Sequence, residues 1–332
     1  MLARFGGVRE PRIKIPAATA AADYHCVTRT VNGEWLFDDV AREVLRRQIW
    51  QVADYCGVQI LTHTIMVNHF HVVLRVLQTT PVSDTELLRR YRVLYPKPTR
   101  YQAARLNVIA AQLATNGADA VEWRKRQLRL MGDVSQYMKL LKQRFSIWFN
   151  RAHQRFGTLW AERFKSTLVG PGALGPMITY VDLNCVRAGI VRDPKDYRFC
   201  GYAEAVAGNA AARLGLQQVI EGHDWTAVQA GYRERLFGAG GSPRDDAANI
   251  CPDEVQRVIA AGGHLPLAVV LRCRVRYFTD GAVLGTRAFV EAQLGARRAN
   301  LHRPRMKPHP LPDWTDWPDL TTLRAIRRPA IT

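Results

Sequence analysis

Within Thr62 to Leu77 lies Asn68-His69-Phe70-His71-Val72-Val73-Leu74-Arg75-Val76, a stretch with the two-residue period of a β-strand. Phe70, Val72, Leu74 and Val76 point to one side, and His69, His71, Val73 and Arg75 to the other. The apolar side belongs on a core. The other side carries two imidazoles spaced about 6.5–7 Å along a stiff backbone. Neutral imidazoles presented in this way can hold a divalent cation. Taken alone, the pair fits half-exposed strand histidines with no ligand better than it fits a metal site.

The neighbouring sequence places this strand in a β-α-β-β order. Tyr24 to Val31 is rich in β-formers and reads as a first strand. Asn32-Gly33 turns the chain, and Asp38-Asp39 open a helix through Tyr55 with an apolar stripe of Val40, Val44, Ile49, Val52 and Ala53. Gly57 reads as its C-cap. Val58 to Asn68 forms a second strand and a hairpin with the histidine strand. Residues 78–132 contain Pro81, Pro96 and Pro98, a helical piece over Val108 to Leu113, and a basic patch with an aromatic at Trp123-Arg124-Lys125-Arg126. They read as a helical insertion. A strong helix then starts at Asp133, with Val134, Met138, Leu141, Phe145, Trp148 and Phe149 at helical spacing. That aromatic stripe is core packing. Lys139, Lys142, Arg144, Arg151 and Arg155 decorate the remainder of the helix.

Thr158 to Val169 reads as a fourth strand with Arg163 and Lys165 on one face. Gly175-Pro176 opens a helix that runs to Ala188 and is capped by Gly189. Ile178, Val181 and Cys185 form its buried edge, whereas Tyr180, Asn184 and Arg187 share another face. The division expected is a basic arm over 1–22, a catalytic unit over 23–202, and a mainly helical extension over 203–332. Within the extension, a loop follows near Gly238 to Pro243, helical patterning covers Pro252 to Ala261 and Leu265 to Leu271, and a helix runs from Thr286 to Leu294. An irregular basic tail ends it.

Lys and Arg number 47 against 29 acids, a net charge of +18. This excess favours a polyanionic partner, nucleic acid first and an anionic membrane second. The six cysteines are scattered without a C-x-x-C pair, against a structural zinc site or a disulfide framework. No signal-like or membrane-spanning apolar run is present, so a cytoplasmic protein, nucleoid-associated when bound to DNA, is expected.

His69, His71, Tyr180 and Asn184 make a chemically coherent set. A cation held by two imidazoles and an amide oxygen keeps positions open for a phosphate, and a tyrosine hydroxyl beside it can attack phosphorus in line. The matching stretches are Tyr24-His25-Cys26-Val27-Thr28-Arg29, Met66-Val67-Asn68-His69-Phe70-His71, Leu141-Lys142-Gln143-Arg144-Phe145, Leu159-Trp160-Ala161-Glu162-Arg163-Phe164-Lys165-Ser166, and Tyr180 to Gly189. In this order, over residues 23–202, the chain resembles the single-tyrosine HUH transposases of the insertion-sequence superfamily, in particular the REP-associated tyrosine type. The resemblance implies an α+β, ferredoxin-like (RRM-like) antiparallel sheet with helices on one face. It implies nicking and rejoining of single-stranded or hairpin DNA through a 5′-phosphotyrosine with Mg²⁺ or Mn²⁺. By it, His69, His71 and Asn184 are the metal ligands and Tyr180 is the nucleophile. Either a monomer or a homodimer fits.

Lys139, Lys142, Arg144, Arg151, Arg163, Lys165 and Arg187 are the candidate DNA contacts. The family commonly has proline after the asparagine, where this chain has Cys185. The segment Arg272 to Gly281 is similar to one in longer relatives and reads as a helical DNA-end-binding module. Tyr197 and Tyr202 are rival nucleophiles that lack an asparagine at i+4. His25 is placed beside the site in a structural role. The competing function is a non-catalytic or domesticated nucleic-acid binder, since RNA-binding domains share this topology. Such a sheet wants aromatics on its open face, where this chain has His69 and His71.

Overall fold

The histidine strand, β3 (His69–Val76), lies between β2 (Val58–Ile65) and β1 (Ala22–Arg29) and pairs antiparallel with both. On its other edge β1 pairs antiparallel with β4 (Lys165–Val169). The computed structural model describes residues 12–78, 80–238, 257, 258, 260, 261, 263, 266–273, 275–296, 307–311 and 319–323. The first eleven residues of the expected basic arm, most of the loop and helix expected between Gly238 and Ala261, and much of the tail lie outside the described residues.

Helix α1 (Asp39–Cys56) begins where Asp38 accepts a hydrogen bond from the Ala41 amide and ends at Gly57, whose φ of 64° suits a residue without a Cβ. Its buried stripe is Ala41, Leu45, Ile49, Val52, Ala53 and Cys56. The stripe is rotated from the expected one, and Val40 stands in solvent at 64% exposure. Helix α5 (Val134–Ala152) packs beside α1 and is capped by Asp133. Phe145 reaches Trp160, which in turn meets Phe70 of β3, so α5 covers the Phe70 face of the sheet.

The opposite face is also covered. Helix α6 (Leu174–Asp182) lies there, with α7 (Asn184–Arg187) after it. Next come α8 (Gly201–Val206), α9 (Ala210–Gln217) and α10 (Trp225–Phe237), of which α8 and α9 pack on β2. His71 and Val73, expected on an open face, are 4% and 0% exposed. The expectation of helices on one face therefore fails for this chain. The residues after Gly189, which carry no strand-like pattern, fold back over the second face.

Residues 78–132 do form helices: α2 (Asp84–Leu94), α3 (Arg100–Ala114) and α4 (Ala118–Leu128). They enclose a small core of their own, with Leu87, Ile109, Leu113, Ala120 and Trp123. Trp123 is thus a core residue and not part of a surface patch, and Arg124 pairs with Asp84 at 2.5 Å. Towards the C-terminus lie α11 (Leu267–Arg272), α12 (Tyr277–Asp280), β5 (Val283–Thr286), α13 (Arg287–Gly295), β6 (His309–Pro310) and β7 (Leu320–Thr322). β5 pairs parallel with β4, and the sheet continues through β7 and β6 in the order β2-β3-β1-β4-β5-β7-β6. The extension expected to be mainly helical thus adds strands to the central sheet. Val283 and Leu284 are fully buried there, but a strand of this length, ending in Gly285-Thr286, is too short to show a period.

Candidate metal and nucleophile site

Two rows of side chains cross the second face of the sheet. Register places Thr167, His25, Val73 and Thr62 side by side, with Val27, His71 and Thr64 one pleat further on. The threonines fasten what lies above. The Thr62 hydroxyl donates to Asp182 Oδ1 at 2.6 Å, and the Thr64 hydroxyl to the Val181 carbonyl at 2.8 Å. Together they hold α6 over β2 and β3. On the other side, the Thr167 hydroxyl donates to the Gly281 carbonyl at 2.7 Å, which fixes α12 over β4.

This fastening sets Tyr180 above His71, with ring centroids 6.5 Å apart and planes at 81°. His69 and His71 stand edge to face at 5.3 Å. Each histidine spends its Nδ1 inside the protein. His69 Nδ1 lies 2.7 Å from Asn68 Oδ1, and the Asn68 amide nitrogen donates to the Gly33 carbonyl at 2.9 Å. The amide oxygen can only accept, so His69 carries a proton on Nδ1, and its neutral form keeps the lone pair on Nε2. His71 Nδ1 lies 2.8 Å from His25 Nε2, and His25 Nδ1 lies 2.8 Å from the Phe278 carbonyl. Burial holds His25 neutral, its pKa pushed down to about 4 against the smaller opposing effect of the Phe278 carbonyl.

Asn184 follows Tyr180 by one turn, across a break at Leu183 where α6 ends and α7 begins. Its amide Nδ2 is buried without a hydrogen-bond partner. A buried amide group in that state is costly, and half a turn about Cβ–Cγ exchanges it for the oxygen, a hard donor suited to a divalent cation. Imidazole nitrogens and an amide oxygen are donor types that a divalent cation accepts, and His69, His71 and Asn184 are the residues that would supply them. Among the described residues no group of three or more His, Cys, Asp or Glu side chains could hold a metal ion. The candidate ligand set therefore depends on the amide.

Tyr180 is 2% exposed. Phe278 stacks on one side of its ring at 4.8 Å and 22°, and the Arg187 guanidinium lies 3.9 Å from the ring centroid. Arg187 also donates to the carbonyls of Tyr180 and Leu271, both at 2.8 Å. Tyr180 and Arg187 do share a face, and Ile178, Val181 and Cys185 are fully buried as the spacing predicts. Behind them, Asp182 is buried and accepts from Thr62 and from the Tyr232 hydroxyl, while Cys200 Sγ lies 3.2 Å away. Burial raises the Asp182 pKa above its ordinary value, with these hydrogen bonds opposing the shift.

The rival tyrosines are occupied elsewhere. The Tyr197 hydroxyl donates to the Ile65 carbonyl at 2.7 Å and accepts from Arg42, and the buried Tyr202 stands against Tyr232. Of the basic candidates, Lys139, Arg151, Arg163 and Lys165 are exposed. Arg144 donates to the Leu94 carbonyl at 2.9 Å and lies 5.0 Å from the centroid of the Tyr95 ring. Lys142 donates to the Glu162 carbonyl at 2.8 Å, and burial pushes its pKa down to about 8, ahead of the repulsion from Arg12. Phe278 lies in the Arg272 to Gly281 segment that the resemblance singles out, but its contact with Tyr180 spans a long separation and leaves no local pattern. His25 stands beside the site in a supporting role, as expected, whereas the role of Asn68 in orienting His69 has no signal in the spacing.

No family model and no curated protein matches the chain. Among solved structures it is similar to one described as "Structure of the REP associates tyrosine transposase bound to a REP hairpin", at 14% identity and a TM-score of 0.34, covering 61% of this chain and 87% of that one. At that TM-score the likeness bears on neither fold nor chemistry.

Proposed function

We propose that this chain is a metal-dependent, single-tyrosine DNA nuclease and strand transferase built on a ferredoxin-like core. The observation that carries the reading is a tyrosine from a distant helix set above His71, with His69 edge to face against that same imidazole. The strand order β2-β3-β1-β4, all antiparallel, supports the ferredoxin-like core. The motif resemblance in the same residues supports the reaction class.

His69, His71 and Asn184 would hold Mg²⁺ or Mn²⁺, whose chemistry is to draw charge from the non-bridging oxygens of a phosphodiester. Tyr180 Oη attacks phosphorus and releases its phenolic proton to solvent. The bond from phosphorus to the 3′ oxygen breaks, and that oxygen leaves with the electron pair and takes up a proton. The products are a 5′-phosphotyrosine and a free 3′-hydroxyl. One phosphodiester replaces another, so a second 3′-hydroxyl can reverse the step and join strands. Lys139, Arg151, Arg163 and Lys165 are exposed and would contact the backbone of single-stranded or hairpin DNA.

One observation favours the non-catalytic reading, a binder of nucleic-acid hairpins. Tyr180 is enclosed between Phe278 and Arg187 in this structure. Incubation with single-stranded hairpin DNA and Mn²⁺, followed by denaturing electrophoresis, separates the two. The enzyme reading expects a protein–DNA adduct with the wild type and none with Tyr180→Phe or with EDTA. Binding of the hairpins with no adduct in any of them decides for the binder.

A further inference from the structure

We propose that His25 is a positioning residue for the cation site. It fixes the tautomer and ring plane of His71, and so makes the backbone of residues 277–280 part of the support of that ligand. The inference rests on the reading of His69 and His71 as ligands.

The chain of contacts has only one sense. A carbonyl oxygen accepts and cannot donate, so the 2.8 Å contact with the Phe278 carbonyl places a proton on His25 Nδ1. With that proton in place, the neutral His25 presents a lone pair at Nε2. The 2.8 Å contact with His71 Nδ1 then makes His71 the donor. In neutral His71 the remaining lone pair then sits on Nε2. The two rings are parallel within 2°, with centroids 5.0 Å apart. That separation, with the nitrogens 2.8 Å apart, sets the rings edge to edge, so the N–H of one lies along the lone pair of the other. This bond therefore holds the plane of His71 as well as its tautomer.

Strand register explains why the pair can form. His25 is opposite Val73, which makes it the diagonal neighbour of His71 on the same face. The anchor at the far end comes from α12, held by the bond from Thr167 to the Gly281 carbonyl. Histidine ligands to metals gain basicity and a fixed orientation by donating their second nitrogen to an acceptor, and loss of that acceptor weakens metal binding about 10–100-fold.

The test is Mn²⁺ binding to the full chain without DNA, read from the electron paramagnetic resonance of free Mn²⁺, together with imidazole ¹⁵N spectra of the metal-free protein. His25→Phe removes the acceptor. His25→Asn keeps a polar group toward Phe278 but lacks the reach to His71. Both should weaken Mn²⁺ binding by about 10–100-fold and should move the His71 proton from Nδ1 toward Nε2. His25→Gln can place its amide oxygen near the lost Nε2 and should recover most of the affinity. Wild-type affinity and an unchanged His71 tautomer in a folded His25→Phe or His25→Asn protein overturn the positioning role alone. Unchanged Mn²⁺ binding in His69→Ala and His71→Ala overturns the ligand reading, and this inference with it.

Discussion

The carboxylate of Asp182 is the fastening whose removal says most about how the site is held. It lies two residues after Tyr180 and accepts from the buried hydroxyls of Thr62 in β2 and Tyr232 in α10. Asp182→Ala strands both donors. Each unsatisfied buried hydroxyl costs about 1–3 kcal/mol, so the pair should cost about 2–6 kcal/mol. A domain's whole stability is about 5–15 kcal/mol, so the variant should be severely destabilised. Urea unfolding followed by tryptophan fluorescence measures the loss, and the cycle with Tyr232→Phe isolates the shared bond. A loss below about 1 kcal/mol, or additive effects of Asp182→Ala and Tyr232→Phe, refutes the claim that this carboxylate fastens α6 to its neighbours. The pH dependence has a definite sign. Burial raises the folded-state pKa of Asp182, so the unfolded chain gives up its proton first as pH rises. Wild type should therefore lose stability relative to Asp182→Asn as pH climbs from about 4 toward that raised value, and the difference should level off above it.

Two further outcomes follow from side chains away from the reacting groups. A Cβ on Gly215 of α9 would lie 2.4 Å from the Ile60 carbonyl oxygen and 2.9 Å from that of Leu61, backbone atoms that cannot turn aside. Gly215→Ala should cost about 1–3 kcal/mol in the same unfolding assay, despite the better helix propensity of alanine. Lys142, with its pKa near 8, should lose its charge as pH rises through that value, so affinity for single-stranded DNA should fall between about pH 7 and 9 while the magnitude of the salt slope drops by about one. Fluorescence anisotropy measures both, and Lys142→Arg should remove the pH dependence. Folding responds in the opposite direction, because the lowered folded-state pKa makes stability rise as pH climbs from about 8 toward the ordinary lysine value of 10.5.

The legible part of this chain was its local pattern. Asp38 and Gly57 bracket α1 as their capping chemistry requires, and β2 and β3 form the expected hairpin. Tyr180 and Arg187 share a face because helical spacing fixes it. What escaped was long-range. Alternation shows that His71 and Phe70 face opposite ways, but it does not show that α6 and α12 bury the histidine side. Nor does spacing disclose that Phe278 meets both Tyr180 and His25 across a long separation. Basic residues mark a polyanion partner by their number, yet Arg144 and Arg187 bond backbone carbonyls within the fold. A short strand such as β5 shows no period at all and is defined only by its partner β4.

The central claim is that a covalent bond forms at Tyr180. Mass spectrometry of the wild-type adduct, after nuclease trimming and proteolysis, should find the nucleotide phosphate on the peptide that carries Tyr180. Attachment at Tyr197, at Tyr202 or at any other side chain contradicts the account.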